Sequence, residues 1–274
     1  MKQHEFTTWV ERDHLTFCYD TRSKNIEQIQ EFLSSEKVWF LQKSIWERAY
    51  IVLGWDGLFV RTTMDAHRDN MAILGINFWT KGFLLHDSDI FDREHLTFES
   101  REYPILHADI HIGASHIHWY AFNEVYLTRA GDASSVNLSL VQWWKKIESY
   151  RWDGLMISTP AGSTGWSRSY GWAILPHNAN LNVLTPVGKI APRDFQATLI
   201  PDKGRIHIKN DTSREAPIDI LLDNRRIVSM EYRSFELVIE RSPHGVRLLI
   251  ERSYKDRWDT KIYEEQGMQW SESL

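Results

Sequence analysis

The sequence contains a single cysteine, Cys18, so it can form neither an intramolecular disulfide nor a multi-cysteine zinc site. This cysteine usage fits a reducing compartment, and we expect a cytoplasmic protein. No apolar run approaches the length of a membrane span, and residues 1–6 are too polar to begin a signal peptide. The formal net charge of −5 excludes the basic surplus typical of nucleic-acid binding. We therefore expect a soluble protein that binds neither nucleic acid nor a membrane.

The chain is long enough for two domains. Its 274 residues are 42% hydrophobic and 25% charged, which is the balance of a globular protein with a sizeable core. Apolar runs of strand length alternate with segments of helical periodicity at residues 15–19, 25–33, 49–53, 58–69 and 71–76. This alternation predicts parallel strands joined by helices, and hence an N-terminal α/β, Rossmann-like domain over residues 1–100.

From about residue 105 the pattern changes to short runs punctuated by Gly, Pro, Asp and Asn. The runs lie at residues 105–112, 116–127, 136–144, 197–200, 205–208, 218–222, 235–239 and 246–250. Such spacing is typical of an all-β domain, which we expect over residues 101–250. The polar stretch 251–274 is predicted to return to the first domain.

A loop rich in small and hydroxyl residues follows the apolar run at residues 155–157. Pro160 ends this run because proline cannot donate to a strand ladder. Residues 161–165, Ala-Gly-Ser-Thr-Gly, let a ligand approach the backbone and supply hydroxyl groups. A helix-like start at residues 167–171 would offer free N–H groups to an anion or a ribose. On chemistry alone, an ordinary surface turn is the commoner outcome for such a pattern.

Four segments, in the same order, resemble the NAD kinase family. Residues 153–171 resemble its signature, which runs from Asp-Gly through a strand to Ser-Thr-Pro-Thr-Gly-Ser-Thr-Ala-Tyr-Ser. Residues 54–57, Gly-Trp-Asp-Gly, resemble its Gly-Gly-Asp-Gly loop, residues 73–84 its second loop, and residues 123–124 its Asn-Glu motif. The resemblance implies transfer of a phosphoryl group from ATP, or another donor, to the 2′-hydroxyl of the adenosine ribose of NAD. It also implies Mg²⁺ accompanying ATP and a homodimer or homotetramer.

The resemblance assigns roles to individual residues. Asp56 matches the carboxylate that activates the ribose hydroxyl and is the predicted general base. The phosphate loops are expected at Gly54, Trp55 and Asn77. The residues expected to contact NAD are Gly57, Phe83, Asn123, Glu124, Asp153, Thr164, Gly165, Trp166 and Ser169. Without the resemblance, Asp56-Gly57 and the Asn-Glu pair would be interpreted as turn residues.

Tryptophan stands at several positions where the family usually has a smaller residue. Trp55 replaces the second glycine of Gly-Gly-Asp-Gly, and Trp79, Trp166 and Trp172 are further departures. Glycine at the first position would let backbone N–H groups touch phosphate oxygens. Two interpretations stay open: the indole of Trp55 reshapes the nucleotide cleft, or it packs away from the phosphates with Trp79 filling the space beside it.

A histidine-rich stretch has the spacing of a possible metal site. His107, Asp109 and His111 recur at every second position of a predicted strand, and His116 and His118 follow. A solvated strand face is the commoner outcome, and the resemblance implies no structural metal. We therefore predict no metal ligands.

Three functions are compatible with these residues. The leading hypothesis is an ATP:NAD 2′-phosphotransferase. The second is a binding module descended from such kinases, which retains the NAD cleft but cannot seat ATP because of Trp55. The third and weaker one is a phosphatase that releases phosphate from NADP in the same cleft.

Overall fold

The computed structural model describes residues 6–79, 82–92, 95–131, 135–142, 145–172, 174–191, 196–210, 217–230 and 234–252. The chain forms two compact units. One unit contains the described residues up to Tyr103 together with those from Gly245 onwards, and the other spans Pro104–His244. None of the described helices is long and apolar enough to cross a membrane.

The first unit is an α/β structure, as predicted. Its elements are β1 (Thr7–Arg12), β2 (Leu15–Asp20), α1 (Ile26–Leu33), α2 (Glu36–Ser44), β3 (Ala49–Gly54), α3 (Asp56–Arg68), β4 (Ala72–Asn77), a 3₁₀ turn (Ser88–Asp92), β5 (Phe98–Tyr103) and β18 (Val246–Glu251). The strand order is β1-β2-β3-β4-β18-β5. The four central strands are parallel, and both edge strands are antiparallel to their neighbours.

The apolar content of the central strands explains this arrangement. All six residues of β3 are buried, as expected for a parallel strand covered on both faces. The core of this unit joins Phe17 of β2, Ile29 of α1 and Leu74 of β4, and Leu41 of α2 packs into the same cluster. The central strands are therefore buried within the unit. Because they are parallel, their carboxyl ends lie together at one edge of the sheet.

The structure corrects one predicted boundary. Strand β18 lies within the predicted β-domain of residues 101–250, but it pairs in parallel with β4 and antiparallel with β5. It therefore completes the first unit, and the second unit ends at His244. An isolated apolar run does not reveal which sheet it will join. Of the predicted C-terminal segment, residues 253–274 lie outside the described part of the chain.

The second unit is rich in β-structure, as predicted. Its elements are β6 (Leu106–Ile112), β7 (Ser115–Ala121), β8 (Glu124–Arg129), β9 (Val136–Gln142), β10 (Lys145–Trp152), β11 (Gly154–Ser158), a 3₁₀ turn (Gly162–Thr164), α4 (Trp166–Ser169), β12 (Leu181–Val187), β13 (Thr198–Pro201), β14 (Ile206–Asn210), β15 (Ile218–Leu222), β16 (Arg225–Met230) and β17 (Glu236–Arg241). Two six-stranded sheets have the orders β10-β9-β14-β17-β6-β7 and β13-β12-β11-β8-β15-β16. Their apolar faces share one core, to which Ile110, Leu127, Leu155 and Ile239 contribute.

Candidate functional site

In the first unit, the predicted phosphate-loop residues lie at the carboxyl ends of two neighbouring parallel strands. Gly54 ends β3 and is paired in register with Asn77, which ends β4. Trp55 follows with extended backbone angles, and Asp56 is the first residue of α3. This is the edge at which open α/β sheets bind ligands. The structure thus brings together the residues that the sequence placed in two separate loops.

Asp56 is held by the loop that follows β4. Its two carboxylate oxygens accept the backbone N–H groups of Phe83 at 2.8 Å and of Leu84 at 3.0 Å. A Cβ at Gly82 would lie 3.2 Å from the same carboxylate, so the loop approaches it closely. Two backbone donors fix the direction of the carboxylate and favour its ionised form, in which it can accept a proton. Phe83 therefore meets Asp56 through its backbone.

The amide of Asn77 is used within its own loop. Its Nδ2 donates to Asp87 Oδ1 at 3.1 Å, and its Oδ1 accepts the N–H of Trp79 at 2.9 Å. The backbone of the same loop is tied to β3, because Phe78 N–H donates to the carbonyl of Gly54 at 2.9 Å. Asn77 thus shapes the loop at the end of β4.

The indole of Trp55 covers the first turn of α3. A Cβ added at Gly57 would lie 2.9 Å from Trp55 Nε1, so the absent side chain of Gly57 makes room for the indole. The ring is half-buried, with its centroid 6.1 Å from that of Trp79 and the guanidinium carbon of Arg61 6.0 Å above it. Trp55 therefore packs on the helix start with Trp79 beside it, outside the core of the unit.

In the second unit, Asn123 and Glu124 form the turn between β7 and β8. A buried carboxylate, Asp223, organises this turn from the β15–β16 hairpin. It accepts the backbone N–H groups of Phe122 at 2.8 Å, of Asn123 at 2.7 Å and of Glu124 at 3.2 Å. The single predicted strand over residues 116–127 is therefore two strands separated by an anchored turn.

Two polar atoms of this turn have no hydrogen-bond partner among the described residues. They are Asn123 Oδ1 and Glu124 Oε2, both inaccessible to solvent. Burial, and secondly the charge of Asp223, raise the pKa of Glu124 to about 8. Burial also raises the pKa of Asp223 to about 6, against the hydrogen bonds from the Phe122, Asn123 and Glu124 backbones. Because an unpaired buried polar group is costly, this pair is suited to a ligand that supplies the missing bonds.

The glycine-rich loop packs against the same turn. Thr159 donates its backbone N–H to the carbonyl of Asn123 at 2.9 Å, and a Cβ at Gly162 would lie 2.1 Å from that carbonyl oxygen. A Cβ at Gly165 would lie 3.7 Å from Asn123 Nδ2 and 3.9 Å from Glu124 Oε2. A side chain at this position would therefore contact both residues, and Gly165 places only backbone beside them.

The remaining predicted residues of the second unit lie around this loop. Thr164 uses its hydroxyl inside the loop, where it donates to the carbonyl of Ala161 at 2.9 Å. Trp166 begins α4, is 47% exposed and lies 6.0 Å from the ring of Tyr126. Ser169 ends the helix and is exposed. The ring of Trp166 is thus available for stacking, whereas Thr164 is a structural element of the loop.

Asp153 immediately precedes β11 and carries an ion pair with Arg129, whose Nε lies 3.3 Å away. Gly188 has a φ of +58°, and a Cβ there would lie 2.3 Å from Asp153 Oδ2. Only glycine therefore allows the chain to pass so close to this carboxylate. The nearby charge of Asp153 also contributes to the raised pKa of Tyr170, after burial and the effects of Tyr126.

Sequence reasoning missed Asp223 as a site residue. The Asp223-Asn224 pair occupies a hairpin turn with φ angles of 48° and 60°, which Asp and Asn tolerate better than most residues. Asp223 lies about a hundred positions from residues 122–124, so their contact leaves no local pattern in the sequence.

No protein-family model matches the chain. Proteins named NAD kinase are similar to it in sequence. One from Flavobacterium psychrophilum is 33% identical over 238 residues, which cover 83% of this chain and 77% of that protein. Another, from Rhizobium meliloti, is 25% identical over 219 residues, which cover 79% of this chain and 83% of that protein.

Two solved structures are similar in fold. A yeast NADH kinase complexed with NADH matches with a TM-score of 0.76 at 16% identity, over 98% of this chain and 95% of that one. An NAD kinase from Archaeoglobus fulgidus in complex with ATP matches with a TM-score of 0.63 at 17% identity, over 89% and 96%. These matches confirm the predicted combination of an α/β domain with a β-rich domain.

Proposed function

The chain belongs to the NAD kinase family, and we propose that it transfers a phosphoryl group from ATP to the 2′-hydroxyl of the adenosine ribose of NAD to make NADP. The observation that carries this proposal is the buried pair of polar atoms, Asn123 Oδ1 and Glu124 Oε2, that no described residue satisfies. A turn held by three hydrogen bonds to Asp223 is rigid enough to keep these atoms pointed at a ligand.

The chemistry of this pair fits the polar groups of NAD. The Asn123 amide offers a donor and an acceptor, and a carboxyl with a pKa of about 8 carries its proton at neutral pH and can also donate. Adenine, ribose and carboxamide groups present matching acceptors and donors. Gly165 places no side chain beside the pair, and the exposed ring of Trp166 offers a face for stacking.

For the chemical step, the proposal assigns Asp56 as general base. The 2′-hydroxyl oxygen forms a bond to the γ-phosphorus of ATP, the bond from that phosphorus to the β–γ bridging oxygen breaks, and the hydroxyl proton passes to Asp56. ADP leaves. The backbone bonds from Phe83 and Leu84 support this role because they fix the carboxylate in one direction.

Mg²⁺ is proposed to enter with ATP as part of that substrate. Within the described ranges, no group of three or more carboxylate, imidazole or thiolate ligands includes Asp56. An ion carried by the donor phosphates therefore fits the residues better than a resident ion held by side chains. Bound to the phosphates, it would neutralise their charge.

Formation of NADP from NAD, ATP and Mg²⁺ by the purified chain tests the proposal. The assay should be repeated with NADH as acceptor and with other nucleoside triphosphates and polyphosphate as donors, because Trp55 lies at the expected donor loop. Calorimetry with NAD and ATP is run in parallel. Binding of NAD without binding of ATP, and without turnover on any donor, would contradict the proposal and favour a binding module. Release of phosphate from NADP without NADP synthesis would favour a phosphatase.

We further propose a homodimer or homotetramer located in the cytoplasm. Exposed aromatic side chains of the first unit support self-association, since Trp39 is 55% and Trp46 93% exposed. Light scattering on the protein as it elutes from a size-exclusion column measures the mass of the assembly. A monomeric mass at micromolar concentration would contradict the proposed oligomer. Fractionation of the source cells would test the location.

A further inference from the structure

We propose that Asp109, His111 and His116 form a binding site for one divalent transition-metal ion, with Zn²⁺ as the first candidate. The site lies on the β6–β7 hairpin of the second unit, where the three side chains project from one face of the sheet. It is independent of the nucleotide chemistry proposed above. The sequence pattern alone favoured a solvated strand face, and it is the geometry of the hairpin that changes this interpretation.

The register of the hairpin brings the side chains together. Strands β6 and β7 are antiparallel, with His111 opposite His116 and Asp109 opposite His118. Alternate residues of a strand share one face, and directly opposite residues are its closest neighbours across the ladder. Four potential ligands therefore occupy two adjacent rungs of the same face.

The ligand atoms converge on one point. One ligand atom from each of Asp109, His111 and His116 lies within 4.8 Å of the others. His111 Nε2 is 3.4 Å from Asp109 Oδ2, and His116 Nε2 contacts Asp109 Oδ1 directly. Zn–N and Zn–O bonds of about 2.0–2.2 Å separate tetrahedral ligand atoms by about 3.3–3.5 Å. The separation of His111 and Asp109 already matches this spacing, whereas the direct contact between His116 and Asp109 has to open for an ion to bind between them.

Asp109 is the shared partner of the imidazoles in this cluster. His116 contacts Asp109 Oδ1 directly, and His111 Nε2 approaches the other oxygen, Oδ2. The two carboxylates on the adjacent strand β17 are engaged by basic side chains, since Glu236 lies 3.2 Å from Lys209 Nζ and Glu240 lies 2.6 Å from Arg205 Nε. Asp109 is therefore the acidic ligand that this face offers to an ion.

The donor set indicates the class of metal. Two imidazoles and one carboxylate suit Zn²⁺, Cu²⁺, Ni²⁺ and Co²⁺ better than Mg²⁺ or Ca²⁺, which prefer oxygen ligands alone. Three protein ligands leave a fourth position for water or for a group from outside the chain. His118 Nδ1 lies 3.4 Å from Asp109 Oδ1, the same oxygen that His116 contacts, and so helps to orient the carboxylate.

Titration of the untagged protein with Zn²⁺ in a calorimeter tests the site. We expect saturable binding of one ion per chain, weakened at least about tenfold in Asp109→Asn, His111→Ala and His116→Ala. His207→Ala is the matched control, because His207 lies on β14 of the same sheet and pairs with Glu236 at 3.5 Å outside the cluster. It should bind Zn²⁺ like the wild type, and circular dichroism checks the fold of every variant.

Two results would overturn the proposal. One is the absence of saturable binding in the wild type; the other is equal weakening by His207→Ala and His116→Ala. Bound Co²⁺ gives an independent readout, since its visible absorption reports the ligand geometry and should disappear in Asp109→Asn. Binding should also weaken as pH falls, because protons compete for the imidazoles. Affinity that does not change with pH would contradict imidazole ligation.

Discussion

The buried carboxylate of Asp223 accepts the backbone N–H of Glu124 at 3.2 Å, so one acidic residue fixes the position of another. The charge of Asp223 also raises the pKa of Glu124, second only to the effect of burial. Two buried carboxyl groups at one turn keep at least one proton near neutral pH. Position and protonation at the proposed NAD site are therefore set by the same pair of residues.

This relationship predicts a pH-dependent stability that Glu124→Gln removes. In the unfolded chain Glu124 ionises near its ordinary pKa of 4.5, whereas in the folded protein it keeps its proton up to about pH 8. The folded state binds more protons within this window, so the contribution of Glu124 to the free energy of unfolding falls as pH rises through it. Urea unfolding at about pH 5 and about pH 9 should show the variant gaining stability relative to the wild type at the higher pH.

The control for this comparison is Glu240→Gln, which makes the same chemical change at a carboxylate of the second unit paired with Arg205. A stability difference between Glu124→Gln and the wild type that stays constant across the pH range would show that Glu124 is not held in its protonated form.

Asp223→Asn should both destabilise the second unit and weaken NAD binding. An asparagine whose oxygen stays on the N–H groups of Asn123 and Glu124 directs its own NH₂ at the N–H of Phe122. Losing this bond at a buried position costs about 1–3 kcal/mol of stability. Asn224→Gly is the control, since glycine accepts the φ of 60° in the same turn. Thermal unfolding that is equal for the two variants would mean that the carboxylate does not hold the turn.

Asn123→Ala should weaken NAD binding without unfolding the protein. The side chain offers an unpaired oxygen and an amide beside Gly165, and a lost hydrogen bond to a buried ligand costs about 1–3 kcal/mol, or roughly a 5- to 150-fold rise in Kd. Calorimetry measures this change. Asn210→Ala is the control, because the Asn210 oxygen accepts the N–H of Phe235 in the same unit. NAD affinity unaltered by Asn123→Ala would return the residue to a turn-forming role.

The sequence predicted most of the first unit because its signals are local. Residues 49–53 and 71–76 became β3 and β4 within one residue at each end, since unbroken apolar runs bounded by Gly and Asn leave few alternatives. Strand β18 was assigned to the wrong domain because its partners lie more than a hundred residues away. Local patterns identify strands more readily than they identify pairings.

The candidate site was predicted by resemblance, and its internal support was not. Asp56 and the Asn123–Glu124 turn were named from motifs, whereas the N–H bonds from Phe83 and Leu84 and the anchoring by Asp223 appear only once the chain is folded. Such contacts depend on side-chain direction and long-range register, which neither composition nor spacing encodes.

Asp56→Asn should lower kcat about 100-fold or more while the KM for NAD changes only a few-fold, because it removes a proton acceptor used in the chemical step. The NH₂ group of the new asparagine would face the N–H of Phe83 or Leu84, because both Asp56 oxygens accept such groups. The substitution therefore also disturbs the loop, and this disturbance contributes to the loss of kcat. Asp87→Asn distinguishes loss of the base from disturbance of the loop. It makes the same chemical change at a carboxylate that accepts the Asn77 amide N–H in this loop and has no proposed role as a base. Equal losses of kcat in both variants, or retention of most activity in Asp56→Asn, would contradict the general-base role.

Trp55→Gly distinguishes the two interpretations of the tryptophan that replaces a family glycine. The half-buried indole covers Gly57 and faces Trp79, so its removal should cost less than the roughly 3 kcal/mol lost when a fully buried aromatic is truncated. Glycine is also accepted at the position before a helix. The substitution uncovers the first turn of α3, whose N–H groups can then approach donor phosphates. We therefore expect tighter ATP binding or a higher kcat together with a small fall in Tm.

Trp79→Ala provides the comparison for Trp55→Gly, because it removes the neighbouring ring 6.1 Å away and leaves the indole over Gly57 in place. If the covered helix start limits ATP binding, only Trp55→Gly should improve it. Calorimetric titration with ATP and Mg²⁺, paired with thermal unfolding, measures both quantities on the same samples. A large loss of stability in Trp55→Gly with no gain in ATP affinity would mean that the indole supports the fold of the loop, and that the donor site tolerates tryptophan where the family usually has glycine.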